Sequence, residues 1–279
     1  MKAFHTLRVR NKKNFTLADF ELFTIILSAL EWRKHNGEIK LMTDAAGLNF
    51  VKRRGISDIW TEIDSSLDEF ANFGIDEDVF WAGAKLLALS KQEPPCVMID
   101  LDFIVWLPIN FDTFGENLTV IHREGISPDI YPYKDYFKFK NGWRFPEWLN
   151  WSVEPCNGAF VYFGSKNFIK HYCDFAFGFM KNVAPPSNEL PYMVFAEQRW
   201  MAMCADYLGI TIKNFSTLDE LFGGRQKYFT HVWGHKQKLR DDGFAAEKFC
   251  RDCARRLAHD FPDFAEKISA NDWAGRYFD

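Results

Sequence analysis

The sequence predicts an α/β fold with a mostly parallel central sheet. Short apolar runs alternate with helical patterns through the first half of the chain. The run Cys96–Ile99 is too short and too apolar for a surface helix, follows the breaker Pro94-Pro95, and so reads as a fully buried strand. Two carboxylates, Asp100 and Asp102, stand directly after it, where open α/β sheets collect ligands.

The elements follow in order. Residues 1–9 read as a strand and 15–34 as an amphipathic helix opened by Thr16 or Asp19. Residues 38–43 give a second strand ending at Asp44, 47–54 a short helix closed by Gly55, 56–62 a short strand, and 79–91 a helix leading into Cys96–Ile99. That βαβα order implies parallel strands joined by right-handed crossovers. The second half is less regular. Strands are predicted over 118–122, 157–164, 210–215 and 228–233, with helices reaching Lys181, covering 192–208 and forming a tail over 244–267. No repeat or linker interrupts the 279 residues, so one domain is expected.

Composition narrows the function classes. A chain that is 47% hydrophobic and 17% aromatic can bury a large core, and a net charge of −4 without a Lys/Arg cluster argues against a nucleic-acid partner. The N-terminus, MKAFHTLRVR, restores charge too early for a secretory signal, and no apolar run approaches the roughly eighteen residues of a membrane span. A cytoplasmic protein is expected, and its six scattered cysteines read as reduced core thiols. Cys250 and Cys253 lack a second ligand pair, and their i, i+3 spacing suits helix packing better than zinc.

Asp-x-Asp alone is a weak signal, and the chain carries its own control in Asp76-Glu77-Asp78. That second motif follows no strand and suits a helix N-terminus. Asp100 and Asp102 instead end a buried run, where paired carboxylates can hold a divalent cation against nucleotide phosphates. The segment 131–151 is crowded with rings; an acceptor wall is one reading, and burial in the core is the preferred one.

Taken in order, the motifs resemble the GT-A nucleotide-sugar glycosyltransferases, most of all the group that includes glycogenin and the lipopolysaccharide galactosyltransferases. The matching pieces are Lys85 in FWAGAKLLALSK, the pair Asp100 and Asp102, Asn157-Gly158 in EPCNGAFVYFG, Glu197-Gln198 in FAEQRWM, and His231, Gly234 and Lys236 in THVWGHK. The resemblance implies a single Rossmann-like, doubly wound domain over 1–279. Within it, 1–106 would form a nucleotide-binding half, 107–243 an acceptor and metal-completing half, and 244–279 a helical tail. It also implies Mn²⁺ or Mg²⁺ on Asp100, Asp102 and His231, and a donor, favoured as a UDP-sugar, held by Lys85, Asp100, Asn157, Gly158, Gly234 and Lys236. Glu197, Gln198 and Lys236 would serve catalysis, with retention of configuration and a carbohydrate or glycolipid acceptor. The terminal Lys stands one residue closer to the Gly than in the family and lacks the following Pro-Trp, so His235 is a second candidate for the diphosphate.

Two rival classes remain. MIDLDFIV also resembles the first motif of haloacid-dehalogenase-like phosphatases, with Asp100 as nucleophile, Asp102 as acid/base and Asp241-Asp242 as a later acidic pair. That motif normally follows the first strand of its domain, whereas here several predicted strands precede it. A non-catalytic carbohydrate-binding protein is the third class.

Overall fold

The computed structural model describes residues 1–10, 14–140 and 142–278; Asn11, Lys12, Lys13, Asn141 and Asp279, which fall within the expected domain, lie outside the described residues. The first elements are β1 (Lys2–Leu7), α1 (Asp19–His35), β2 (Ile39–Thr43), α2 (Ala45–Arg53), β3 (Glu62–Asp64), α3 (Gly83–Ser90), β4 (Cys96–Ile99) and β5 (Phe103–Val105). There follow β6 (Leu118–Val120), β7 (Phe160–Phe163), α4 (Lys166–Asn182), α5 (Leu190–Val194), α6 (Trp200–Tyr207), β8 (Ile212–Asn214), α7 (Leu218–Phe222) and β9 (Phe229–His231). The chain ends in α8 (Lys236–Asp241), α9 (Gly243–Asp260) and α10 (Pro262–Ser269). The α/β class is therefore the one observed. Two compact units divide the chain: the first comprises Met1–Ser66, Ile99–Ile109 and Lys227–Asp279, the second Leu67–Met98 and Asn110–Gln226.

In the first unit, β3, β2 and β1 lie side by side and parallel, with Ala3 opposite Ile39 and Lys40 opposite Glu62. Parallel neighbours need a crossover, and α1 and α2 supply it. Asp44 fixes the end of β2: its side chain caps α2 at the Gly47 amide (2.7 Å) and accepts from the Arg10 amide (2.8 Å) and the Arg8 guanidinium (3.2 Å). α1 departs from the expected amphipathic pattern, since residues 22–32 are all buried. It packs on β5 on one side and α9 on another, which leaves no wet face along that stretch. Its N-cap is Ala18; Asp19 is the first helical residue and Thr16 lies outside. The stretch 56–62 is a 3₁₀ turn, Ser57–Ile59, rather than a strand, and pairing begins only at Glu62. The tail breaks at Phe261, because Pro262 cannot continue α9 and instead opens α10.

Burial of α1 has a titration consequence. Glu31 is wholly buried and faces Asp260 and Arg256 of α9, with Arg256 paired to Asp260, Lys34 3.4 Å and His259 2.7 Å from Asp260, and His35 3.4 Å from Glu31. Burial and a hydrogen bond to Asp260 push Glu31 up to about 7, whereas Asp260, which its own burial would raise, is held down at about 2 by hydrogen bonds from His259 and Glu31 and by the charges of Arg256 and Lys34. A folded-state pKa raised from 4.5 stabilises below pH 4.5, and that contribution is lost as pH rises through about 7. His35, lowered by burial, pulls the other way. Glu31→Gln, which keeps a donor for Asp260, isolates the carboxyl: its melting temperature relative to the wild type should climb between pH 5 and pH 8. A difference that does not vary with pH would refute the raised Glu31 carboxyl.

In the second unit the strand order is β4-β7-β6-β8, with β6 antiparallel to β7 and parallel to β8, so the sheet is mixed rather than uniformly parallel. α4 and α6 pack together there, and α3 lies on α4. The ring-rich segment folds into this core. Phe137, Phe145 and Trp151 meet Phe195 with centroids 4.6, 5.2 and 5.5 Å apart, and Phe145 stacks on Phe179 at 5.9 Å. Arg199 lies among them, 1% exposed, donating to the carbonyls of Tyr131 (2.8 Å), Pro132 (3.0 Å) and Trp151 (2.7 Å).

Candidate metal centre

The first unit brings four of the expected residues together. Asp100 follows Ile99 directly in the chain, and the Phe103 amide turns back onto the Asp100 carbonyl at 3.0 Å, so the two carboxylates sit in a tight turn that leads into β5. β9 runs antiparallel to β5, placing His231 opposite Phe103, and the Val232 amide donates to the Asp102 carbonyl at 3.0 Å. The ring of Phe103 stacks on Phe229 at 4.7 Å and meets the edge of His231 at 5.6 Å, which fixes the imidazole over the turn. His231 Nε2 then lies 3.6 Å from Asp102 Oδ2, and Lys236, the first residue of α8, brings Nζ to 2.8 Å of the same oxygen.

One ligand atom each from Asp100, Asp102 and His231 falls within 4.8 Å of the others. Bonds of about 2.1 Å put the ligands of one ion roughly 3 to 4 Å apart, so small side-chain adjustments suffice to close this set on a cation. Two hard carboxylate oxygens and one borderline nitrogen suit a divalent ion of the Mg²⁺ to Zn²⁺ range and leave positions for substrate oxygens. The group could therefore hold a divalent metal. Beside it a cavity of about 130 Å³ opens between α1 and the turn, lined by Phe20, Thr24, Leu101, Asp102, Val232 and Lys236. Gly234 is exposed in the 3₁₀ turn Trp233–His235, and among the described residues no atom beyond its two chain neighbours lies within 4 Å of where its Cβ would stand. Trp233 is 72% exposed and stacks along the His231 ring.

Among the described residues, Asp76 and Asp78 form no such group. Asp76 Oδ1 accepts from the Asp78 amide (3.0 Å), making a turn, and α3 starts only at Gly83. Asp241 and Asp242 are engaged locally: Asp241 accepts from Gln237 at 2.9 Å and Asp242 caps α9 through the Ala245 amide at 3.0 Å. Cys250 and Cys253 are buried on α9, and burial pushes the Cys250 thiol up to about 12.

The second unit gathers the other candidates into a polar cluster of its own. Lys85, on α3, is ion-paired with Glu197, and the Tyr131 hydroxyl donates to Gln198 Oε1. Glu197 and Gln198, expected within a continuous helix over 192–208, lie instead in a π-helical turn, Phe195–Arg199, between α5 and α6. The bulge frees their carbonyls, which accept from the Tyr172 hydroxyl (2.6 Å) and the Cys156 amide (3.3 Å). Gly158 leaves room for the Glu197 carboxylate, since a Cβ there would stand 3.1 Å from Oε1. Asn157 donates to Glu124 (2.9 Å), and the His122 ring lies 3.8 Å from the same carboxylate. Burial, and then Glu124 and Glu197, raise the Tyr131 phenol, so it is a donor throughout the physiological range.

Sequence reasoning passed over Tyr131, His122 and Glu124 here, and His5 and Ser28 in the first unit. Tyr131 lies in the aromatic segment that reads as core, and the rest carry no spacing that marks them.

Among the described residues, no helix is long and apolar enough to cross a membrane. Among solved structures, the chain is similar to one titled "PaToxG Glycosyltransferase", at 16% identity, over 75% of this chain and 69% of that one, with a TM-score of 0.42. No curated protein matches the chain by sequence. Residues 4–271 match the model of a family of unknown function, DUF6734, and the chain belongs to that family.

Proposed function

We propose that the protein is a metal-dependent glycosyltransferase that moves a sugar from a nucleoside diphosphate, with a UDP-sugar as donor, to a carbohydrate or glycolipid acceptor. The observation that carries this reading is the convergence of Asp100, Asp102 and His231 on one point with the Lys236 ammonium beside them. Breaking the bond between a sugar and a diphosphate leaves negative charge on the β-phosphate. A Mn²⁺ or Mg²⁺ ion bound there would supply Lewis-acid stabilisation of that charge. Asp100, Asp102 and His231 would hold and orient the ion, and Lys236 would donate to a phosphate oxygen without entering the ligand set. Gly234 precedes it in an open turn where a diphosphate can approach the backbone.

The remaining roles rest on the resemblance. Lys85, Asn157 and Gly158 are assigned to the donor, Glu197 to its sugar hydroxyls and Gln198 to the reacting face of the sugar, with retention of configuration. Their second-unit cluster suits hydroxyl recognition, since acceptors on Glu197, Gln198 and Glu124 alternate with donors on Lys85, Tyr131 and Asn157. On this reading the whole chain acts as one GT-A-like domain.

Calorimetric titration with UDP and GDP, each with Mn²⁺ and with EDTA, tests the proposal. Heat is expected with Mn²⁺ and is to vanish in EDTA, UDP binding more tightly than GDP. No metal-dependent heat for either nucleotide would overturn it.

A further inference from the structure

A chain of hydrogen bonds with fixed direction runs beneath the candidate metal centre inside the first unit. The Trp60 indole can only donate, and its Nε1 lies 3.0 Å from His5 Nδ1. His5 is therefore neutral with its proton on Nε2, which stands 3.0 Å from Ser28 Oγ. Ser28 in turn donates to the carbonyl of Phe103 at 2.5 Å. Each link dictates the next. His5, Ser28 and Phe103 are no more than 1% exposed, and Trp60 is 4% exposed, so water cannot substitute for a lost partner. Burial drives the His5 imidazole down to about 3 against the pull of nearby Asp100, so the ring stays neutral at every pH at which the protein would work.

The end point is what matters. Phe103 follows Asp102 directly, its amide closes the turn on Asp100, and it is the residue paired with His231. Holding its carbonyl restrains the one residue next to which all three candidate ligands are placed. The cost of a buried polar chain is not needed for fold alone, because an apolar trio of similar volume would fill the same space.

We propose that His5 and Ser28 are positioning residues: through the Phe103 carbonyl they hold the Asp100–Asp102 turn and the His231 pairing in metal-binding geometry. This rests on the metal-centre reading above. Partners hydrogen-bonded to the ligands themselves typically change metal affinity by about 10- to 100-fold when removed; Ser28 and His5 act one step further out, through Phe103, so the low end of that range is expected.

The test is Mn²⁺ affinity in the presence of UDP, read from the free-Mn²⁺ EPR signal, which reports binding and not turnover. Ser28→Ala and His5→Leu should each weaken it about tenfold or more, and His5→Gln, which keeps a donor near the Nε2 position, should recover part of the loss. Ile26→Val, a core trim on the same helix outside the relay, should leave it unchanged. If the wild type binds Mn²⁺ and the folded Ser28→Ala protein binds it equally well, the positioning role is wrong while the metal centre stands. If the wild type binds none, both fall. Should the variants fail to fold, the wild type still decides: a long-range ¹H–¹⁵N spectrum should show His5 protonated on Nε2 alone, and a proton on Nδ1 would break the relay and the proposal with it.

Discussion

Asp102→Asn is expected to lower the affinity for UDP in the presence of Mn²⁺ by about a hundredfold or more, roughly 3 kcal/mol, while Asp78→Asn leaves it unchanged. The substitution preserves shape and removes the charge that Lys236 meets at 2.8 Å, on an oxygen that lies 3.6 Å from His231 Nε2. An amide oxygen is a poorer ligand for a divalent ion, and the Lys236 ammonium then faces a neutral group. Asp78, in contrast, is exposed in a turn whose amide is already held by Asp76. Calorimetry on the three proteins at one pH and salt concentration settles the comparison. Equal losses in both variants would mean that the position of Asp102 at the end of a buried strand confers nothing that a surface carboxylate lacks.

The second large effect is structural. Arg199→Met should destabilise the second unit by about 3 to 5 kcal/mol, although the new side chain is apolar and of similar length. Three loop carbonyls, from Tyr131, Pro132 and Trp151, lose their donor together, and the stacking of the guanidinium on the Trp151 ring, 5.1 Å from its centroid, goes with them. Lysine should not rescue the loss, because one ammonium cannot reach carbonyls that a planar fork spans. The midpoint of urea unfolding, followed by tryptophan fluorescence, measures it. A loss below about 1 kcal/mol would show that these carbonyls find other partners.

The first half of the fold was legible because its elements follow local rules. β1, β2 and Cys96–Ile99 are short apolar runs bounded by turn residues, and their positions match the expected ones within a residue or two. Expectation failed where tertiary contacts override local pattern. Residues 56–62 look like a strand because Ile56, Ile59 and Trp60 are apolar, yet those side chains are buried from a 3₁₀ turn. The π turn at Phe195–Arg199 has no sequence mark at all, since its residues continue a helical pattern. In the candidate centre, Asp100 and Asp102 were readable from one segment. His231 required a resemblance, because a histidine more than a hundred residues away is brought back only by strand pairing. The relay through His5 and Ser28 was invisible, as a lone His on a buried strand and a lone Ser in an apolar helix each read as ordinary core.

The pairing of β9 with β5 also bears on how this loop can change during evolution. Side chains on a strand alternate faces, so a one-residue slip of β9 would turn His231 away and present Thr230 or Val232 opposite Phe103 instead. His231 is thus anchored by its partner strand, whereas Lys236 belongs to α8 and reaches Asp102 with a long, flexible side chain. The two are under different constraints. A change of one in the number of residues between His231 and Lys236 would leave this register intact, whereas a length change between Phe229 and His231 would shift it. Strand register thus sets the place of the histidine and leaves that of the lysine open, so the two are expected to vary independently among relatives of this chain.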